Sequence, residues 1–248
     1  MLIKSQVKYI QSLSHKKLRD SEGVFVAEGP KLINELLSAG LPVQQLYAVK
    51  EWIEGHRQPM TVSITEISQS ELERISGLQT PNQVLGIFKK PAFSSFTTHP
   101  PVRNTLSLML DTIQDPGNMG TIIRCADWFG ISQIFCSSDC ADAFNPKVVQ
   151  ASMGSITRVQ VWYGSLTQLL TEAPDVPTYA AVLNGTDLRT LPPIKEGIII
   201  IGNESKGVSD EVLALTRNRI TIPRHGKAES LNAAVATGII LSHITQNG

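Results

Sequence analysis

What this chain has little of narrows the field first. It carries three cysteines in 248 residues, Cys125, Cys136 and Cys140, an odd number with no CxxC spacing. That excludes a disulfide framework and a four-thiolate zinc site, and no other metal-ligand cluster stands out. No apolar run approaches the roughly 20 residues that cross a bilayer. The opening segment, MLIKSQVKYIQSLSHKKLRD, has lysines where a signal peptide needs unbroken apolar sequence. A cytoplasmic protein is expected. Net charge is also lacking, with 22 Lys+Arg against 22 Asp+Glu, so the field of the whole chain announces no polyanionic partner. Compositional bias is absent too: 42% hydrophobic, 18% charged and 6% aromatic residues exclude the disordered and fibrous classes.

The charge that is present is unevenly spread. Residues 1–103 hold 12 Lys+Arg against 9 Asp+Glu, and the remainder 10 against 13. The first part therefore suits a module that meets phosphate, with Lys16, Lys17 and Arg19 as candidate contacts.

Periodicity divides the chain in two. In the first part a helical, lysine-spotted segment runs from Lys4 to Leu18, and GVFVAE (Gly23 to Glu28) reads as a strand. Lys31 to Gly40 is a helix with Pro30 at its start and a glycine that can end it left-handed. Strands follow at Val43 to Val49, Met60 to Ile64 and Val84 to Phe88, with a helix at Glu66 to Ile75. This is a small α/β domain over residues 1–90. KKPAFSSFTTHPPVRN then has three prolines and no apolar period, which marks residues 91–104 as a linker. Beyond it, in residues 105–248, LSLML, TYAAVL, GIIII and RITI are short apolar strands separated by helices at Met119 to Phe129, Leu166 to Glu172, Val208 to Arg217 and Leu231 to Thr245. Strands apolar on both faces predict a mostly parallel sheet.

Three loops of this second domain follow strands and carry glycine beside polar residues, and ligands of parallel sheets bind at such strand ends. The first, DTIQDPGNMGTIIRC, turns at Asp115 to Asn118 and leads into a helix that carries Arg124. The second, GNESKGVSDEV, has glycines that let backbone approach a ligand, but no GK[ST], so it is not a nucleotide triphosphate loop. The third, ITIPRHGKAESLNAAVATG, predicts a helix starting at Ser230, whose first amides, with Ser230, Leu231 and Asn232, would form a backbone clamp. Each loop alone reads equally well as a turn and a cap. A lone loop histidine such as His225 is read as a surface residue.

In this order and spacing the loops resemble the three signature motifs of the SpoU, or TrmH, family of RNA ribose 2'-O-methyltransferases in the SPOUT superfamily. The matches are Asn118-x-Gly120-x-x-x-Arg124, then Gly202-Asn203-Glu204 with Gly207, then Ile222-Pro223 followed by Ser230-Leu231-Asn232. The stretch Phe25 to Leu37 is similar to a substrate-binding domain related to small ribosomal proteins that bind kinked RNA. The resemblance implies a trefoil knot in the C-terminal sheet, S-adenosylmethionine as methyl donor, a homodimer with the donor pocket near the subunit interface, and RNA as substrate, ribosomal RNA ahead of tRNA. By position it implies Leu183, Gly185, Gly202, Ile222, Ser230, Leu231 and Asn232 as donor-binding residues. It marks Arg124, Asn118 and Glu204 as catalytic, with Arg124 acting on the ribose either as base or by positioning a phosphate. Arg224-His225 departs from the usual residues of the third motif. Two other classes compete, a non-catalytic RNA-binding protein that keeps the fold and an unknotted Rossmann-type enzyme; the latter is disfavoured by the lack of GxGxxG after an early strand.

Overall fold

A computed structural model of the chain describes residues 1–56, 62–91 and 104–245, and it divides into two compact units. Most of the linker expected at 91–104, and the first residues of the strand expected at Met60, lie outside the described residues.

One unit takes the described residues of Met1–Ala92 together with Asp142–Thr157. Its elements run α1 (Lys4–Ser12), α2 (Lys16–Glu22), β1 (Val24–Glu28), α3 (Pro30–Ser38), β2 (Val43–Ala48), α4 (Lys50–Gly55), β3 (Ile64–Glu66), α5 (Gln69–Ile75) and β4 (Val84–Lys89). The single helix expected over Lys4 to Leu18 is two, broken at Leu13 to His15. The sheet order is β1-β4-β2-β3, with β4 antiparallel to both neighbours and β2 parallel to β3. Pro30 starts α3 and Leu32, Ile33 and Leu36 form its buried face, the helical spacing that an amphipathic reading predicts.

Arg19 corrects an expectation. It is 1% exposed, with Nη1 donating to the carbonyls of Leu13 and Ser14 at 2.9 and 2.7 Å and Nη2 to Asp142 Oδ2 at 2.5 Å. It is therefore unavailable to phosphate, whereas Lys16 and Lys17 are exposed. Asp142 opens a segment that includes α7 (Pro146–Ser152) and belongs to this unit although it lies far along the chain. Phe144 packs its ring on Phe25 at 5.1 Å, and Lys90 Nζ sits 5.1 Å over that ring.

The second unit, the described residues of Phe93–Ala141 and Arg158–Gly248, holds β5 (Leu106–Leu110), α6 (Pro116–Trp128), β6 (Gln133–Cys136), β7 (Gln160–Tyr163), α8 (Leu166–Glu172), β8 (Thr178–Asp187), β9 (Gly197–Ile201), α9 (Asp210–Leu215), β10 (Asn218–Thr221) and α10 (Ala233–Ile244). The six strands form one sheet in the order β10-β8-β9-β5-β6-β7, and every pairing is parallel. The α/β fold with a parallel C-terminal sheet is as the sequence predicts. Leu106–Leu110 and Gly197–Ile201 pair in register at its centre. Leu108, Met109, Leu110 and Ile198 to Ile200 are fully buried there, which is why their runs are apolar without alternation.

Parallel connections put β5, β8, β9 and β10 carboxyl-end loops on one edge, so the three motif loops share it.

Candidate active site

The first loop is fixed by its cap. Asp115 accepts the backbone N–H of Asn118 at 2.7 Å and Pro116 occupies the first helical position, so α6 starts two residues earlier than the turn at Asn118 implies. Asn118 then lies in the first turn and Arg124 in the third.

In the second loop Asn203 and Gly207 exchange backbone hydrogen bonds at 2.9 and 2.8 Å. Asn203 Oδ1 accepts the N–H groups of Ser205 and Lys206, and its Nδ2 donates to the Thr112 carbonyl at 2.9 Å. The fold is so tight that a Cβ on Gly202 would stand 2.2 Å from Gly207 C and Val208 N. No side chain fits there.

The third loop ends in a cap two residues later than expected. Asn232, not Ser230, is the N-cap of α10, its Oδ1 accepting Ala234 N at 3.0 Å and Val235 N at 3.2 Å. Ala233 N goes to Glu204 Oε1 at 3.1 Å. The first amides of α10 are thus spent within the protein, and Ser230 is exposed outside the helix.

The loops meet at Glu204. Its Oε1 accepts Asn118 Nδ2 at 2.6 Å, Asn232 Nδ2 at 2.8 Å and Ala233 N, while Asn232 Nδ2 also reaches Asn118 Oδ1 at 2.8 Å. An acid is the residue this place requires: three donors converge on one oxygen at the positive end of a twelve-residue helix. Residues 86, 114 and 28 apart in sequence thereby lock the three motifs into one body.

A fourth segment joins them. Along β10 the β8 partner jumps from Ala180, opposite Arg219, to Thr186, opposite Ile220, so residues 181–185 bow out of the ladder. Leu183 sits on this excursion, 69% exposed, and a Cβ on Gly185 would lie 2.7 Å from the backbone of Arg219 and Ile220. Leu231, 45% exposed, and half-buried Ile222 lie on the third loop. The structure thus brings Asn118, Glu204 and Asn232 into contact; Leu183 and Gly185 lie on the outward bow of β8 against β10, and Gly202, Ile222, Ser230 and Leu231 on the second and third loops. Arg124 is not in that network: it is exposed and makes no hydrogen bond or ion pair among the described residues.

Two groups escaped the sequence reading. Asp111 is a buried carboxylate at the end of β5, and Thr112 after it has a φ of +60°. A D-T pair at a strand end carries no sequence signal for either. Beside them Ser137 donates its hydroxyl to Asp139, the first cause holding that carboxyl below its ordinary pKa, and the Cys136 thiol, followed by Ser137 and the Ile113 amide, holds Cys140 low against the opposing effect of burial. Among the described residues no group of three or more His, Cys, Asp or Glu could hold a metal ion, and no helix is long and apolar enough to cross a membrane.

Strand-end loops of one parallel sheet, tied together through a single carboxylate, make the carboxyl edge of the sheet the candidate ligand site of this α/β fold. Residues 105–242 match the model of the SpoU rRNA methylase family, and residues 4–86 that of the MRM3-like substrate binding domain. The chain belongs to the SpoU rRNA methylase family. It is 30% identical over 242 residues to the 23S rRNA (guanosine(2553)-2'-O)-methyltransferase RlmP of Bacillus subtilis, covering 96% of this chain and 95% of the relative. A TrmH-family structure from Porphyromonas gingivalis superposes with a TM-score of 0.87 at 37% identity over the full length of both chains. An AdoMet-bound rRNA methyltransferase from Sinorhizobium meliloti gives a TM-score of 0.87 at 30% identity, covering 99% of this chain and 96% of that one.

Proposed function

We propose that this protein methylates a ribose 2'-hydroxyl of ribosomal RNA at the site built around Glu204. The chain is an RNA ribose 2'-O-methyltransferase and S-adenosylmethionine is its donor. The convergence of three motif loops on Glu204 Oε1 carries the reading, because it brings residues far apart in sequence to one place at the carboxyl edge of the sheet.

The residues present fit the donor. A purine needs an apolar slot and backbone polar groups rather than charged side chains. Leu183 and Leu231 are large apolar groups left exposed on the loops, and Gly185 and Gly202 are stripped to backbone. Leu183, Gly185, Gly202, Ile222 and Leu231 would hold it, with Asn232 fixing the third loop and Ser230 on its rim. When bound, it supplies an electrophilic sulfonium methyl. Glu204 and Asn118 keep the loops registered. Arg124 is permanently charged and has no acceptor, so it is a poor base. Its free fork holds a target phosphate through two parallel hydrogen bonds and orients the 2'-hydroxyl, whose proton passes to phosphate or water as the methyl transfers.

The test is calorimetry on the full chain. One donor site per subunit is expected, insensitive to chelator, and Gly202→Ala should abolish it because the added carbon cannot be placed without opening the loop. Donor binding with methyl transfer to tRNA and to no ribosomal RNA would overturn the substrate proposed here.

Residues 1–90, with the 142–157 segment that falls in the same unit, serve as the substrate-binding domain, 91–104 as the linker and the rest of 105–248 as the methyltransferase domain. Support for the first comes from its family match and from exposed Lys16 and Lys17; lower RNA affinity of Lys17→Glu at matched salt checks it. The C-terminal segment, tied back to Glu204 through Asn232 and Ala233, passes through a loop of the domain to make the trefoil knot that the family resemblance implies. The protein works as a cytoplasmic homodimer. Packed helices α6 and α10 leave Trp128, Val235 and Ile239 exposed by 81, 50 and 40%, an apolar face that a second copy would cover. Sedimentation should show a dimer that Trp128→Glu dissociates.

A further inference from the structure

The buried Asp111 carboxylate has no role in the chemistry above and no cation beside it among the described ion pairs. Its Oδ2 accepts the N–H of Ser209 at 2.7 Å and its Oδ1 the hydroxyl of Thr112 at 3.2 Å. Its own N–H donates to Ile201 at 2.9 Å, on the strand that leads into the second loop. One residue on, the Thr112 carbonyl accepts Asn203 Nδ2. Asn203 and Ser209 bracket residues 204–208, so both ends of the segment carrying Glu204 are tied to the Asp111–Thr112 step.

That step is itself rigid. Thr112 has a left-handed φ of +60°, which a β-branched residue adopts only when its surroundings impose it. The surroundings do: Thr112 N donates to Ser137 Oγ at 2.9 Å, Ile113 N to Cys140 Sγ at 3.2 Å, and Ala141 N to the Ile113 carbonyl at 2.8 Å. A carboxylate buried without a cation is costly, and it is retained where its hydrogen bonds are needed. Here they join the end of β5 to the start of α9.

We propose that Asp111 is a positioning residue for methyl transfer, holding the 203–209 loop at the height where Glu204 meets Asn118 and Asn232. It acts through Ser209, Thr112 and Asn203 and touches none of the reacting atoms. The proposal rests on the donor-site reading above.

The hydrogen-bond pattern makes the test selective. In Asp111→Asn the amide oxygen accepts Ser209 N–H and the amide nitrogen donates to Thr112 Oγ1, so both links survive. In Asp111→Ala both are lost. In Ser209→Pro the donated N–H is lost and the ring Cδ takes its place against Asp111 Oδ2, while the native φ of −63° itself suits proline. Donor affinity by calorimetry, single-turnover methylation at saturating donor and RNA, and thermal unfolding are measured on the full-length chain. The alanine and proline variants should each transfer methyl about a hundredfold more slowly, the loss that accompanies a displacement near 1 Å, and bind donor more weakly; the asparagine variant should stay within a few-fold of wild type. A wild type that binds no donor would overturn the donor-site reading itself. With an active wild type, a proline variant at full single-turnover rate, or an asparagine variant as slow as alanine, would overturn the positioning role. Should Asp111→Ala not fold, the Ser209→Pro and Asp111→Asn pair decides the matter.

Discussion

Replacing Arg124 by alanine should slow single-turnover methylation by roughly a hundredfold or more, the scale seen when one charge-orienting donor is removed from an active site. Donor affinity should barely change. Arg124 is outside the Glu204 hydrogen-bond network, exposed on the third turn of α6 and without a hydrogen bond or ion pair among the described residues. Because the side chain supports nothing inside the protein, stability should stay within about 0.5 kcal/mol. A rate loss can then be read as lost transition-state stabilisation rather than lost fold. Arg124→Lys should restore little, since an ammonium offers one point charge where the guanidinium offers a fork. RNA affinity should fall by no more than one phosphate contact's share of the salt dependence. If alanine left the rate near wild type, Arg124 would be a solvated helix residue and the mechanism would need another orienting group.

How far the sequence could be read depended on whether a feature was local. The central strands β5 and β9 were legible to the residue because burial on both faces demands an unbroken apolar run. Strands β6 (QIFC) and β7 (QVWY) were not, since each is four residues long and starts on glutamine. The α7 segment was missed for another reason: its partners, Phe25 and Arg19, lie more than a hundred residues upstream. In SLN, Ser230 and Asn232 are equally good caps by local rules. Tertiary structure chose Asn232, whose amide reaches Glu204 and Asn118 while its oxygen caps α10. Likewise the apolar run TYAAVL revealed a strand, but no periodicity could show that β10 skips residues 181–185 and leaves Leu183 and Gly185 bowed outward. The chemistry-bearing residues were legible only as a motif set. No spacing rule says that Asn118, Glu204 and Asn232 touch, and Arg124, which the motif groups with them, makes no hydrogen bond to any of the three.

A lysine-rich stretch argues for a solvated face, yet Arg19 is 1% exposed, and its removal has the second large expected effect. Its guanidinium serves two ends of the chain at once. It satisfies the carbonyls of Leu13 and Ser14, left without helical partners at the end of α1, and it neutralises Asp142, whose side chain is only 11% exposed. Arg19→Ala would leave that carboxylate buried and uncompensated and both carbonyls short of a donor. Removing one partner of a buried pair in this way costs about 3–5 kcal/mol, a large share of the roughly 5–15 kcal/mol that holds a typical protein folded. In urea melts the midpoint should drop accordingly, and 1 M salt should do little to mimic the loss, because ions screen exposed charges far better than buried ones. Asp142→Leu placed on Arg19→Met should recover much of the stability, since an apolar pair has no charge to strand. The proposed donor-binding residues all lie in the other unit, so donor binding by the folded fraction should be wild type. A loss below 1 kcal/mol for Arg19→Ala would mean that the Asp142 segment is held by Phe144 and α7 alone, and that the ion pair is an accompaniment to that packing rather than its anchor.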